Sequence, residues 1–214
     1  MENKIVLEVG VSNGYHTGQL RKKYNLPVYG FEPVPHLQKM LTEKFKNDPD
    51  VHIFEAAVDI EDGEKLFHIS DPNGMTDRGP VHPYGCSSLF QFNKNIHKKW
   101  PNRPDFKAVE TILVKTVNLE NFLNSHNFKG EIRYLHCDAQ GNDLNVLKSL
   151  GKYLQNVKQG VIEVAWRTEL YENTENTFYD AYKFLNENNF DVTIPDPSYS
   201  KHEVNCYFIN KKMK

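Results

Sequence analysis

The stretch Ile5-Val6-Leu7-Glu8-Val9-Gly10-Val11-Ser12-Asn13-Gly14-Tyr15-His16-Thr17 constrains the chain more than any other. An apolar run rich in β-branched residues ends in two glycines, and a segment able to start a helix follows, so it reads as strand, tight turn, helix. Gly10 and Gly14 permit positive φ and close backbone approach, and the first amides of the helix present unpaired N–H groups to an electron-rich ligand. A second short strand, Val28-Tyr29-Gly30-Phe31, leads into Glu32, an acid 22 positions beyond Gly10. A carboxylate so placed can accept both hydroxyls of an adenosine ribose. The dinucleotide fingerprint G-x-G-x-x-G is incomplete, since only Gly10 and Gly14 are present. That looser spacing favours a nucleoside ligand without a pyrophosphate, such as S-adenosylmethionine, over a dinucleotide. The plainer alternative is that two glycines and an acid merely shape a β-α-β turn.

A chain of 214 residues fits one domain, here 1–214, with room for an insertion. Acids and bases are mixed along the chain and the net charge is -2, so no electrostatic footprint for a nucleic-acid backbone is visible and no nucleic-acid partner is expected. Cys86, Cys137 and Cys206 lie far apart without a C-x-x-C pair, which argues against structural zinc and against a secreted disulfide framework. No apolar run reaches membrane-spanning length and Met1-Glu2-Asn3-Lys4 carries no signal-peptide core, so a cytoplasmic protein without membrane insertion is expected.

The first turn should open a helix over 15–24, with Leu20 and Tyr24 one turn apart, closed by Asn25 and Pro27. Leu37, Met40, Leu41 and Phe45 recur at helical spacing around 39–46 and predict one buried stripe. Val51 to Val58 reads as a third strand, with Ala56 and Ala57 small enough for a flat base to lie against the sheet edge; Ala57 is taken as a donor contact. Residues 59–116 depart from the alternation. Leu66 to Ile69 and Ile112 to Val114 look like the strands of an added hairpin, and the long loop between them, containing Gly85-Cys86-Ser87-Ser88-Leu89, is read as a substrate-side lid or wall with Ser88 toward the acceptor; the alternative is a mobile surface excursion.

The densest chemistry follows. Ile132 to Asp138 is a strand, Ala139-Gln140-Gly141-Asn142-Asp143 a turn, and Leu144, Leu147, Leu150 and Leu154 mark a helix face that Gly151 interrupts or caps. Ligands in open α/β sheets bind outside the carboxyl ends of the strands, so Asp138 should face the site. A fifth strand, Val161 to Trp166, brings Glu163, Trp166 and Arg167 to the same edge; Gln140, Glu163 and Trp166 are placed on the acceptor side. Phe178, Ala181, Tyr182 and Leu185 set up a late helix, and Phe190 to Ile194 with Val204 to Ile209 supply closing strands, for a seven-stranded count. Tyr84, Trp100, Trp166 and Tyr171 can stack on a sugar or fill a core. Asp196-Pro197-Ser198-Tyr199 is read as a turn. His82, His97 and His136 with Asp138 lack the close spacing of a metal site, so none is predicted, although a divalent ion would assist hydroxyl deprotonation.

Leu7 to Thr17, Val28 to Pro33, Thr116 to Leu123 and Tyr134-Leu135-His136-Cys137-Asp138-Ala139-Gln140-Gly141 together resemble the FkbM-type S-adenosylmethionine-dependent methyltransferases. The resemblance implies a class I, Rossmann-like, mostly parallel α/β sheet with helices on both faces and one antiparallel strand near the C-terminus. It also implies O-methylation of a hydroxyl on a sugar, glycan or other small molecule. Carried over residue by residue, Glu8, Gly10, Asn13 and Gly14 match the donor loop, with Ser12 inside it, Glu32 the ribose acid and Asp138 the fourth-strand acid. Two departures stand out: His136 where the family commonly has Lys, and Gln140 where it commonly has Glu.

The sulfonium already carries an activated methyl, so the protein must align the acceptor oxygen and take its proton. Strand alternation puts residues 136 and 138 on one side. His136 is the preferred base with Asp138 as its orienting partner or a donor-side contact; the roles can be reversed. Cys137, on the opposite side, is read as core. The competing readings are a nicotinamide-dependent oxidoreductase and a donor-binding module without turnover.

Overall fold

A computed structural model describes residues 3–76, 79–80, 83–103, 106–193 and 202–213. His82, Ile194 and the Asp196-Pro197-Ser198-Tyr199 turn lie outside the described residues. In chain order the strands and helices are β1 (Lys4–Val9), α1 (Tyr15–Tyr24), β2 (Val28–Phe31), α2 (Pro35–Phe45), β3 (Val51–Phe54), β4 (Ala57–Val58), β5 (Gly63–Ser70), the short pair β6 (Met75–Thr76) and β7 (Gly79–Pro80), α3 (Ile96–Lys99), β8 (Ala108–Val117) and α4 (Leu119–Ser125). They continue as β9 (Glu131–Cys137), α5 (Asp143–Ser149), a 3-10 turn (Gly151–Asn156), β10 (Gln159–Ala165), α6 (Phe178–Glu187), β11 (Phe190–Val192) and β12 (Glu203–Asn210).

Seven strands form one sheet in the order β11-β12-β10-β9-β1-β2-β3. The pairs from β10 through β9, β1 and β2 to β3 are parallel, and β12 runs antiparallel to both β10 and β11. This is the expected mostly parallel sheet with one reversed strand near the C-terminus. β1 occupies its middle and is buried from Ile5 to Val9, as a strand covered on both faces must be. Ile5, Leu7 and Val9 meet Leu119, Leu123, Leu144, Leu147, Ala181 and Leu185 from α4, α5 and α6 on one face. Val6 meets Leu20 of α1 on the other. Helices therefore lie on both faces. Among the described residues no helix is long and apolar enough to cross a membrane.

A second sheet has the order β4-β8-β5. β5 and β8 form the expected antiparallel hairpin, running from the Gly63–Thr116 pair to the Ser70–Ala108 pair. The expected continuous strand 51–58 is divided: after Phe54 the Ala56 amide turns back onto the Phe54 carbonyl (3.0 Å), and Ala57-Val58 cross over to pair with Thr116-Val117. Ala56, Ala57 and Val58 are all buried, which removes the alternation a half-exposed strand would show. The loop between β5 and β8 is anchored. His68 and Ser88 exchange two backbone hydrogen bonds, Asn93 bonds to Leu170, and Ile96, Phe106, Leu170 and Tyr171 make a small core of their own.

α2 starts at Pro35, earlier than the apolar spacing suggested, because proline is preorganised for the first helical turn. Leu37 and Leu41 are buried, but Met40 is 37% exposed. At 100° per residue Met40 falls on the margin of the Leu37–Leu41–Phe45 face. α5 ends before Gly151, whose φ of +48° turns the chain into the 3-10 segment that keeps Leu154 in the core.

Candidate functional site

The turn after β1 is left-handed at three positions: Gly10 (φ +81°), Ser12 (+53°) and Gly14 (+69°). A Cβ on Gly10 would lie 2.0 Å from the Asp138 carbonyl oxygen, so the absence of a side chain lets the ends of β1 and β9 touch. Gly14 serves packing: a Cβ there would meet the Phe45 ring at 2.7 Å, where α1 leans on α2. The Glu32 carboxylate fixes this turn. Its Oε2 accepts from the Ser12 amide (2.7 Å) and its Oε1 from the Val34 amide (2.9 Å). Burial pushes the Glu32 carboxyl up to about 7 against the pull of those two amides. Each oxygen keeps a second acceptor site for a ligand hydroxyl. The Asn13 side chain accepts from the Tyr15 amide (2.9 Å) at the start of α1, and its carbonyl accepts from Lys44 Nζ (2.7 Å).

A cavity of about 310 Å³ opens above this turn at the carboxyl ends of β1, β2 and β9. Gly10, Ser12, Asn13, Glu32, Ala57, His136, Asp138 and Gln140 line it, whereas Gly14 does not. Its apolar part is made by Val34 and Leu37 beside α2, Phe67 of β5, and Tyr84 and Leu89 from the anchored loop. Tyr84 stacks on His36 with ring centroids 5.5 Å apart. Tyr84, read from the sequence as able to stack on a sugar or fill a core, is thus at the cavity wall; Val34, Leu37, Phe67, Leu89 and His16 of α1 have no site role in the sequence reading, because they reach the cavity through the second sheet and the helix faces, which local spacing does not mark.

The register of β1 against β9 sets Glu8 beside His136. Glu8 is fully buried beneath the turn and does not line the cavity. Its two carboxyl oxygens, Thr17 Oγ1 and His136 Nδ1 are buried and make no hydrogen bond of full geometry; the Thr17 hydroxyl and amide are close enough to Glu8 to favour its ionised form, and His136 Nδ1 lies 3.9 Å from Glu8 Oε1. The His16 ring stacks on His136 at 4.5 Å. Burial drives Glu8 up to about 8, and burial with the neighbouring His16 drives His136 down to about 4. Both side chains are therefore mostly neutral at pH 7.

The expected pairing of His136 with Asp138 is not what the side chains form. β9 ends at Cys137, so strict alternation no longer applies at 138, and Asp138 Oδ1 accepts from Gln140 Nε2. The same Nε2 lies 3.3 Å from Glu163 Oε2, while Gln140 Oε1 accepts from the Tyr171 hydroxyl (2.6 Å). Gln140 adopts φ +51° and Gly141 +92°, and a Cβ on Gly141 would meet the Tyr171 ring at 2.7 Å. Asp143, fully buried at the start of α5, supports the turn by accepting from the Ala139 amide (3.1 Å) and the Asn176 side chain (3.2 Å). Asp138, then burial, raises Glu163 well above the carboxylate range, and burial with Asp138 raises Glu203 to about 7.

Three residues placed on the acceptor side do not reach the cavity. Ser88 is buried with its hydroxyl donated to the Gln140 carbonyl (2.6 Å). Glu163 sits behind Gln140, and Trp166 packs edge-on against Phe178 at 5.1 Å. Trp100 and Tyr171 are likewise spent on neighbours, His202 at 4.2 Å and Phe92 at 5.3 Å. Cys137 is core, as expected, and burial pushes its thiol up. Among the described residues no group of three or more His, Cys, Asp or Glu side chains is placed to hold a metal ion.

The sequence profile described as "Methyltransferase FkbM domain" matches residues 8–192. No curated protein shows significant sequence similarity to the chain. Among solved structures, an rRNA methylase from Streptococcus thermophilus superposes with a TM-score of 0.50 at 11% identity, over 97% of this chain and 87% of that one. TrmK of M. capricolum, solved with S-adenosyl-homocysteine, gives 0.45 at 10% identity over 99% and 64%. The magnesium protoporphyrin IX methyltransferase of Synechocystis PCC 6803, solved with bound SAM, gives 0.45 at 9% over 96% and 69%. At 11% identity the first likeness is one of fold alone.

Proposed function

Because the chain belongs to the FkbM methyltransferase family and is thus an S-adenosylmethionine-dependent methyltransferase, we propose that it methylates a hydroxyl oxygen of a glycan or other small molecule, a sugar hydroxyl being the leading acceptor. One observation carries this reading: a neutral imidazole, His136, lines the same cavity as the left-handed turn and the Glu32 carboxylate.

The cavity suits the donor in size and chemistry. About 310 Å³ is at the lower end of ligand-pocket volumes. Glu32, already held by two amides, offers acceptor sites to the ribose hydroxyls. Ala57, Leu37 and Phe67 offer a slot for the base, and the turn from Gly10 through Asn13 exposes backbone to the amino-acid portion. When bound, the donor supplies an electrophilic methyl on a sulfonium. The chain's own work is to place the acceptor oxygen in line with that methyl and to receive its proton. Positioning supplies several kcal/mol and a placed base roughly 10²–10⁴-fold. His136 is the proposed proton acceptor. Asp138, tied to Gln140, is a wall of the site that can orient the acceptor hydroxyl.

The test is mass spectrometry of acceptor panels incubated with unlabelled donor, comparing wild type with His136→Gln. A 14-Da gain on a glycan or small-molecule hydroxyl, reduced about 10²-fold or more in the variant, supports the proposal. Transfer to RNA with salt-sensitive binding would replace the acceptor class, and wild-type turnover in His136→Gln would remove His136 from the chemistry.

A further inference from the structure

Four buried side-chain atoms that make no hydrogen bond of full geometry belong to neighbouring groups beneath the glycine turn: both Glu8 oxygens and Thr17 Oγ1, which approach each other closely enough for Thr17 to favour the ionised carboxyl, and His136 Nδ1. Unpaired buried polar atoms cost free energy, so such a cluster in a well-packed core needs a reason. Glu8 is the side chain that β-register places directly beside His136, at a separation of 3.9 Å. His16 covers a face of the imidazole and restricts its tilt. The imidazole itself reaches the cavity, whereas Glu8 does not. With Nδ1 turned inward, Nε2 is the nitrogen available to a substrate.

We propose that Glu8 is the positioning residue for His136: the carboxyl decides which imidazole nitrogen carries the proton, and only its ionised form leaves the Nε2 lone pair free to act as base. This rests on the assignment of His136 as proton acceptor. The pair must close its 3.9 Å separation by about 1 Å to bond; when Glu8 is protonated, its O–H then donates to Nδ1, the ring proton sits on Nε2, and the cavity sees a donor that cannot accept a proton. When Glu8 is ionised, Nδ1–H donates to the carboxylate. The acceptor's O–H bond then breaks toward Nε2, the oxygen's electron pair forms the bond to the methyl carbon, and the carbon–sulfur pair remains on sulfur as a neutral thioether. The imidazolium formed is stabilised by the adjacent carboxylate, and its Nε2 proton passes to solvent. The groups facing this pair are His16 and Thr17 on α1, Lys44 on α2 and Glu32 after β2. Thr17 and Lys44 favour the ionised Glu8, and Glu32 opposes it.

The tautomer can be read in the absence of any acceptor, so the outcome is independent of which molecule is methylated. Long-range ¹H–¹⁵N NMR of labelled protein between pH 6 and 10 should show His136, assigned by its loss in His136→Gln, moving from the Nε2–H to the Nδ1–H form with a midpoint near the Glu8 value of about 8. The tautomer ratio should change by at least about tenfold between pH 7 and 9. In Glu8→Gln the ratio should be constant over that range, and in Thr17→Val the transition should persist. A single wild-type tautomer throughout, an imidazole titrating near its ordinary value, or an unchanged transition in Glu8→Gln would each overturn the assignment. Wild-type methyl transfer in His136→Gln, with the tautomer transition present in the wild-type protein, would instead count against His136 as base.

Discussion

Replacing Glu8 with Gln should make the protein more stable relative to wild type as the pH rises. Folding carries the Glu8 carboxyl from its ordinary 4.5 to about 8, because burial disfavours the charged form by more than Thr17 and Lys44 restore. An acid raised in this way binds its proton more tightly in the folded state. Its contribution to stability is full below 4.5 and is lost progressively as the pH climbs to about 8. At about 1.4 kcal/mol for each pH unit of that window, the whole loss is about 5 kcal/mol, of which about 3 kcal/mol falls between pH 5.5 and 9. Gln keeps the shape and stays neutral at every pH. The stability gap between variant and wild type should therefore move by about 3 kcal/mol toward the variant between those two conditions. In a chain of this size that corresponds to about 6–12 °C in relative midpoint temperature. Circular-dichroism melts and urea titrations of both proteins at pH 5.5 and pH 9 measure it. Glu32, Asp143 and Glu203 are also raised, but they titrate in both proteins and cancel in the difference. A gap that stays constant with pH, or that moves toward wild type, would refute the claim that folding strips Glu8 of solvent without giving it a strong partner.

Two further outcomes follow from the turn itself. Glu32→Ala leaves the Ser12 and Val34 amides without their acceptor and removes the acid proposed to hold the ribose, so calorimetric affinity for S-adenosylmethionine should fall at least about tenfold; unchanged affinity would discredit the assignment. Gly10→Ala forces a side chain into φ +81° and within 2.0 Å of the Asp138 carbonyl oxygen, so urea denaturation should show a loss of about 2–4 kcal/mol, and a loss under about 0.5 kcal/mol would mean that the β1 and β9 ends are free to part.

What could be read in the chain beforehand was local. The run into Gly10, the 15–24 helix and the parallel strands announce themselves through periodicity and punctuation, and the structure has them at nearly those bounds. Helix α4 is marked in the sequence only by Asn118, a capping residue whose side chain accepts from the Asn121 amide at 3.0 Å. The Thr177–Asp180 capping box at the head of α6 was equally available. Placing side chains in the cavity was harder, for a reason visible at residues 136–140. A strand's alternation ends where the strand ends, and beyond Cys137 the direction of Asp138 is set by Gln140, itself held by Tyr171 some thirty residues away. Ser88 and Trp166 have the chemistry of acceptor contacts but are consumed by the Gln140 carbonyl and Phe178.

Glu8 shows the opposite case. Its match to a donor loop marked it as a ligand contact, yet the parallel register of β1 and β9 turns it under the loop and against His136. A residue one strand away in space and 128 positions away in sequence thus becomes the group best placed to govern the candidate base. Parallel sheets make such pairs routinely, since neighbouring strands are separated by whole crossovers. A buried acid in an otherwise apolar central strand is therefore informative in its own right: with no solvent to stabilise its charge, it must either stay protonated or answer to a titratable neighbour on the adjoining strand. In this chain that neighbour lines the cavity, where the proposed reaction requires a proton to move.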